Sequence, residues 1–149
     1  MSRHRVLQAG PLMPYLEAAL AEQFDCHPLW KEQDPRRFLA EQGANFQALV
    51  TTSKNGADAA LMDAMPNLKA IAHFGVGYDT VDVDAAKARG IPVTNTPDVL
   101  TEEVADLAMA LLLATIRRVP QGDRYVREGK WLKGPMALTE SLQGIKNIA

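Results

Sequence analysis

Cysteine is all but missing from this 149-residue chain. Cys26 stands alone, which excludes an internal disulfide and any metal site built on several thiolates. That scarcity suits a reducing cytosol. An excess of charge is also lacking. The formal net charge is −2, so there is no electrostatic footprint for nucleic acid. Long apolar runs are absent, and no window approaches the length of a membrane span. The basic start, Arg3-His4-Arg5, is followed by Gln8, Pro11, Pro14 and Glu17, which break up the apolar stretch that a secretory leader needs. The three histidines, His4, His27 and His73, have no metal-ligand spacing. These absences predict a cytoplasmic protein that engages neither nucleic acid nor membrane and holds no metal.

What is present is a 47% hydrophobic fraction, enough for the core of one domain, or of one domain with an arm. Short apolar runs alternate with helical periods along the first two thirds of the chain. Strands are expected at Arg5–Gln8, Phe24–Trp30, Ala48–Thr52, Leu68–Phe74 and Ile91–Thr94. Helices are expected at Met13–Gln23, from Asp34-Pro35 to Gln42, at Ala59–Met65 and at Val83–Arg89. Asp34 serves as an N-cap with Pro35 at the first helical position, and Gly43 and Gly90 serve as stops. Strictly alternating strands and helices imply a parallel sheet with helices on both faces. Five such units fit an α/β, flavodoxin-like, doubly wound sheet in the order 2-1-3-4-5.

The pattern changes after Pro97. Thr101 can cap a helix whose first turn carries Glu102 and Glu103, well placed for the helix dipole. Val104, Leu107, Ala108, Leu111, Leu112 and Thr115 form one stripe, and Met109, Ala110, Leu113 and Ala114 carry apolar character around the cylinder. Such a helix must be buried on several sides, so it is expected between two domains or two subunits. Pro120 is expected to end it. A short polar helix, Gln121–Glu128, and an arm from Gly129 to Leu142 containing Trp131 follow, and Ile145–Ala149 reads as the start of another strand.

The chemistry concentrates in Leu68–Pro97, where a glycine turn, Gly75-Val76-Gly77, follows a parallel strand. It is not a dinucleotide fingerprint. Thr80 stands where a third glycine belongs, and the next strand ends Val93-Thr94-Asn95 with no ribose-binding acid. Two readings of the turn remain: tight backbone geometry, or a backbone nest for a carboxylate or phosphate. Ser53 and Lys54 follow the third strand on the same carboxyl edge, as either a solvated turn or part of a ligand site. His73, within an apolar strand, reads as a satisfied interior residue. Asp79 and Asp82 read as helix caps. Asp106 interrupts an apolar helix and needs a partner, and Trp131 is a local lid or an intersubunit anchor. Two other doubly wound classes fit badly. A phospho-receiver needs acids where Gln8-Ala9-Gly10 and Thr52-Ser53 stand, and a flavin carrier needs a hydroxyl-rich loop where Gly10-Pro11-Leu12-Met13-Pro14 stands.

Taken in order and spacing, three segments resemble the D-isomer-specific 2-hydroxyacid dehydrogenases, and the resemblance extends over essentially the whole chain. They are Phe74-Gly75-Val76-Gly77-Tyr78-Asp79 with Val81-Asp82, then Gly90-Ile91-Pro92-Val93-Thr94-Asn95-Thr96-Pro97, then Val104-Ala105-Asp106. Arg117-Arg118-Val119-Pro120 with Tyr125-Val126-Arg127-Glu128-Gly129-Lys130-Trp131 is similar to the glyoxylate/hydroxypyruvate reductase branch. The resemblance implies a substrate domain over residues 1–98. Residues 99–149 would supply an interdomain helix and dimerisation arm leading into a dinucleotide-binding domain. It implies reduction of a small 2-oxo acid to the D-2-hydroxy acid with NAD or NADP, in a homodimer. The backbone at Val76 and Gly77 would hold the substrate carboxylate, with Val76 near the nicotinamide. Ser53 and Gly75 would line the pocket, and Thr101 would face the cofactor cleft. Where the family usually has Val-Ala-Glu, this chain has the shorter acid, Asp106.

The family's pyrophosphate turn and its catalytic arginine, acid and histidine have no counterpart up to Ala149, so no catalytic residue is assigned. The chain is therefore expected to be a fragment, a truncated product or half of a split enzyme, and inactive alone. The alternative is a non-catalytic α/β module that binds a small anion or a protein partner. Oxidation of NAD(P)H with glyoxylate or hydroxypyruvate separates the two.

Overall fold

The computed structural model describes residues 3–137. The strand expected over Ile145–Ala149 and the end of the arm at Leu142 lie outside the described residues. The chain divides into two compact units, Met1–Val99 and a second from Leu100 onward.

In the first unit, β1 (Arg5–Gln8), β2 (Asp25–Pro28), β3 (Ala48–Thr52), β4 (Ala70–Phe74) and β5 (Val93–Thr94) form one sheet. All its pairings are parallel and its order is β2-β1-β3-β4-β5. This is the doubly wound order expected from the alternation. The connecting helices are α1 (Pro14–Gln23), α2 (Pro35–Gln42), α3 (Ala59–Asp63) and α4 (Val83–Ala88). Three of them begin in the same way. The carboxylates of Asp34, Asp58 and Asp82 accept from the backbone N–H groups of Arg37, Leu61 and Ala85 at 3.0, 2.8 and 2.8 Å. Each satisfies a donor that the first turn would otherwise leave open. Asp79 makes no such cap.

Several strands are shorter than their apolar runs, for identifiable reasons. The second ends at Pro28, and Leu29–Lys31 coil into a 3-10 turn. The fourth starts at Ala70 because the Leu68 N–H closes a turn on the Met65 carbonyl. The fifth loses Ile91, whose N–H caps α4 on the Ala86 carbonyl at 2.9 Å, and Pro92, which has no N–H to give.

The main core cluster lies on one face of the sheet, and Val6 and Val50 are buried on the other. Register aligns Leu7, Leu49, Ile71 and Val93 in a single row, and the first three are fully buried with Phe46, Met62 and Met65. Strand periodicity places Thr51 and His73 on the same face, one step nearer the carboxyl edge, and they too are buried.

The second unit contains α5 (Thr101–Ile116), α6 (Val119–Arg127) and a 3-10 turn at Lys130–Lys133. The N-cap of α5 is Leu100, with no side-chain cap, so Thr101 is the first helical residue and not a cap. Pro120 does not end α5. That helix stops at Ile116, Arg118 takes a left-handed conformation (φ 53°), and Pro120 sits in the first turn of α6, where a missing N–H is harmless. None of the residues of α5 is buried, although it is apolar around most of its circumference.

Candidate functional site

The two central strands set up the site. Thr52 pairs with Phe74, so Ser53 and Gly75 leave the sheet side by side at its carboxyl edge. Open parallel sheets bind ligands on this edge. His73, one residue before the turn, is 2% exposed. Its Nε2 lies 2.8 Å from the Gly77 carbonyl and 3.2 Å from Ser53 Oγ, and Ser53 Oγ donates to the same carbonyl at 3.2 Å. A carbonyl can only accept, so Nε2 carries the ring proton. Nδ1 is then a buried acceptor, and it has no partner among the described residues. The expectation that His73 is a satisfied interior residue holds for one ring nitrogen and fails for the other. An unsatisfied buried acceptor costs about 1–3 kcal/mol.

The turn itself is asymmetric. Its carbonyls are engaged by the protein: Gly75 by the Thr96 N–H at 3.0 Å, Val76 by Asn95 Nδ2 at 2.8 Å, Gly77 by His73 and Ser53, Tyr78 by the Val81 N–H at 2.9 Å and Thr80 by the Ala57 N–H at 3.0 Å. The N–H groups of Val76, Gly77 and Tyr78 donate to nothing among the described residues. All three residues are exposed. Three successive N–H groups without partners are donors of the kind that an anion takes up. The Asp79 carboxylate is the opposing influence: its Oδ2 would lie 3.4 Å from a methyl group placed on Gly77.

Ser53, Gly75, Val76 and Gly77 are thus brought together, with Ser53 Oγ directly hydrogen-bonded to the Gly77 carbonyl. Lys54 is exposed on the same edge and enters none of the ion pairs formed by the described residues. Thr101 opens α5 in the second unit. Sequence reasoning missed Asn95 and the Thr96 N–H. Their only signal was position, immediately after the strand that pairs with β4. It also missed Asn55, whose Oδ1 would lie 2.0 Å from a methyl group on Gly10. Asn55 packs against the loop after β1 beside the sheet's switch point, the usual crevice for a ligand, whereas the open N–H groups lie after β4.

Among the described residues no group of three or more acidic, histidine or cysteine side chains is placed to hold a metal, and no helix is long and apolar enough to cross a membrane.

Comparison with known proteins bears on the family and the fold. The fold is a doubly wound parallel sheet with a glycine turn after β4, and residues 6–149 match the D-isomer specific 2-hydroxyacid dehydrogenase catalytic domain. The chain belongs to that family. It is 45% identical over 139 residues to hydroxyphenylpyruvate reductase of Plectranthus scutellarioides, covering 93% of this chain and 44% of that protein. It is 43% identical over 139 residues to glyoxylate/hydroxypyruvate reductase A of Arabidopsis thaliana, covering 93% and 44%. Against both relatives the chain spans less than half of their length. Among solved structures, a 2-hydroxyacid dehydrogenase from Ketogulonicigenium vulgare superposes with a TM-score of 0.85 at 40% identity, over 95% of this chain and 45% of that one. An NADPH-dependent glyoxylate/hydroxypyruvate reductase from Sinorhizobium meliloti, in complex with NADP and malonate, gives 0.74 at 41% identity over 95% and 44%.

Proposed function

We propose that this chain is the substrate-binding portion of an oxidoreductase that reduces a small 2-oxo acid to the D-2-hydroxy acid with NAD or NADP. Glyoxylate and hydroxypyruvate are the favoured substrates, in line with the names of its relatives. One observation carries the reading: the carbonyls of Gly75, Val76 and Gly77 are withdrawn into hydrogen bonds while the N–H groups of Val76, Gly77 and Tyr78 stay open. That arrangement suits a carboxylate. Ser53 and Gly75 would border the carboxylate.

The described residues do not fit the pyrophosphate of a dinucleotide. Thr80 replaces the third glycine, and Asn95 follows the strand where a ribose-binding acid would stand. Their contribution to the cofactor is confined to Val76 beside the nicotinamide and Thr101 facing the cleft. In this proposal residues 1–98 are the substrate domain, and residues 99–149 are an interdomain helix and a dimerisation arm. The low cysteine content supports a cytoplasmic setting.

Gly77→Val tests the reading. A methyl group at Gly77 would meet only Asp79 Oδ2, at 3.4 Å, so the fold should accept a side chain that shields the N–H groups. In the complete enzyme, KM for glyoxylate in NAD(P)H oxidation should rise at least tenfold. Unchanged kinetics in the folded variant would remove the proposal.

A further inference from the structure

The open N–H groups are not a property of the glycines alone. In a trans peptide the C=O of one residue and the N–H of the next point in opposite directions, and every peptide among the described residues is trans. Whatever holds a carbonyl inward therefore aims the following N–H outward. The Gly75 carbonyl is held by the Thr96 backbone, which aims Val76 N–H. The Val76 carbonyl is held by Asn95 Nδ2 at 2.8 Å, which aims Gly77 N–H. The Gly77 carbonyl is held by His73 Nε2 at 2.8 Å, with Ser53 Oγ at 3.2 Å, which aims Tyr78 N–H.

We propose that Asn95 and His73 are positioning residues for carboxylate binding, and that the site comprises three consecutive N–H groups, Val76, Gly77 and Tyr78. The inference rests on the reading of this turn as the carboxylate site. Neither side chain touches the ligand. Each sets the orientation of one peptide that a glycine-containing turn would otherwise leave free to rotate.

His73 supports this independently. Its register partner on β3, Thr51, is buried and spends its hydroxyl on the Gly56 carbonyl, and the next residues along the core face, Ile71 and Leu49, are apolar and fully buried. An apolar residue at position 73 would continue that face and leave no orphaned acceptor. The imidazole instead buries Nδ1 without a partner, and the hydrogen bond gained from Nε2 goes to the Gly77 carbonyl. Asn95 acts alone on its peptide, since no other side chain reaches the Val76 carbonyl among the described residues.

The test uses the full chain, 15N-labelled, titrated with sodium glyoxylate against sodium chloride of matched ionic strength. In the parent chain the amide signals of Val76, Gly77 and Tyr78 should move saturably with glyoxylate and not with chloride. Asn95→Ala should raise the dissociation constant about tenfold, with the largest loss of response at Gly77. His73→Leu should do the same with the loss centred on Tyr78, and His73→Gln, which keeps a donor near the Nε2 position, should recover most of the affinity. Asn95 lies in a loop and is half-buried, so its variant carries the test if His73→Leu fails to fold. No saturable response in the parent chain would overturn the carboxylate reading, and the positioning role with it. A parent-like dissociation constant in folded Asn95→Ala would overturn the positioning role and leave the carboxylate site standing.

Discussion

Gly75 and Ser53 are so close that a methyl group on Gly75 would lie 2.5 Å from Ser53 Oγ and 2.8 Å from His73 Nε2. Both contacts are far inside normal separation. Gly75 has no left-handed φ, so it is needed for close approach and not for conformational freedom. Gly75→Ala should force Ser53 to rotate away and the buried His73 ring to shift, breaking the Ser53–Gly77 and His73–Gly77 bonds. The expected outcome is a loss of about tenfold or more in glyoxylate affinity, with a melting temperature only a few degrees lower. Amide titration and thermal denaturation of the same sample read both.

Asp79 works against an anion on the turn. Replacing Asp79 with Asn keeps the shape and removes the like charge, and Asp79 caps no helix. Glyoxylate should bind Asp79→Asn about two- to threefold more tightly at low ionic strength, and the gain should shrink in 0.5 M salt as the interaction is screened. Equal affinities at low salt would show that this carboxylate turns away from the site in solution.

The exposed helix of the second unit predicts self-association. Leu107, Leu111 and Trp131 are 58%, 59% and 59% exposed, an apolar surface that single chains rarely leave in water. The chain should be a dimer at tens of micromolar by light scattering. Leu111→Glu should abolish the dimer, and Trp131→Ala should weaken it by about 2 kcal/mol. A monomer with intact helix content would count against the dimerisation arm.

Cys26 provides a pH-dependent readout. Burial, and then the nearby Asp25 carboxylate, push its thiol pKa upward. Both favour the neutral thiol in the folded chain, so stability from this group is present below the ordinary thiol range and is lost as pH rises through the folded value. Alkylation by iodoacetamide at pH 8 should be slower in the native chain than in urea-unfolded chain. The native rate should begin its rise at a higher pH. Equal pH profiles would refute the shift.

Local chemistry accounts for what could be read in advance. Short apolar runs and Asp caps act within a few residues, so all five strands, and the caps at Asp34 and Asp82, are legible from one stretch of chain at a time. Strand ends were less legible, because Leu68 and Ile91 spend their N–H groups on turns that only folding brings into reach. The helix does stop at Gly43, its C-cap, but the conformation there is ordinary right-handed and does not itself call for glycine. It is required because a methyl group there would lie 1.9 Å from the Ala64 carbonyl oxygen, twenty-one residues away.

The same division runs through the site. Local chain chemistry is enough to put a glycine turn after a parallel strand, with Ser53 at the same edge, because strand direction and the alternation of strands and helices place them there. It did not determine which way the peptides of that turn face. That was decided by the Thr96 N–H, Asn95, His73 and Ser53, which reach the turn from β3, from β4 and from the segment after β5. Peptide orientation in a flexible turn costs little to change, so it follows whichever hydrogen bonds tertiary packing supplies.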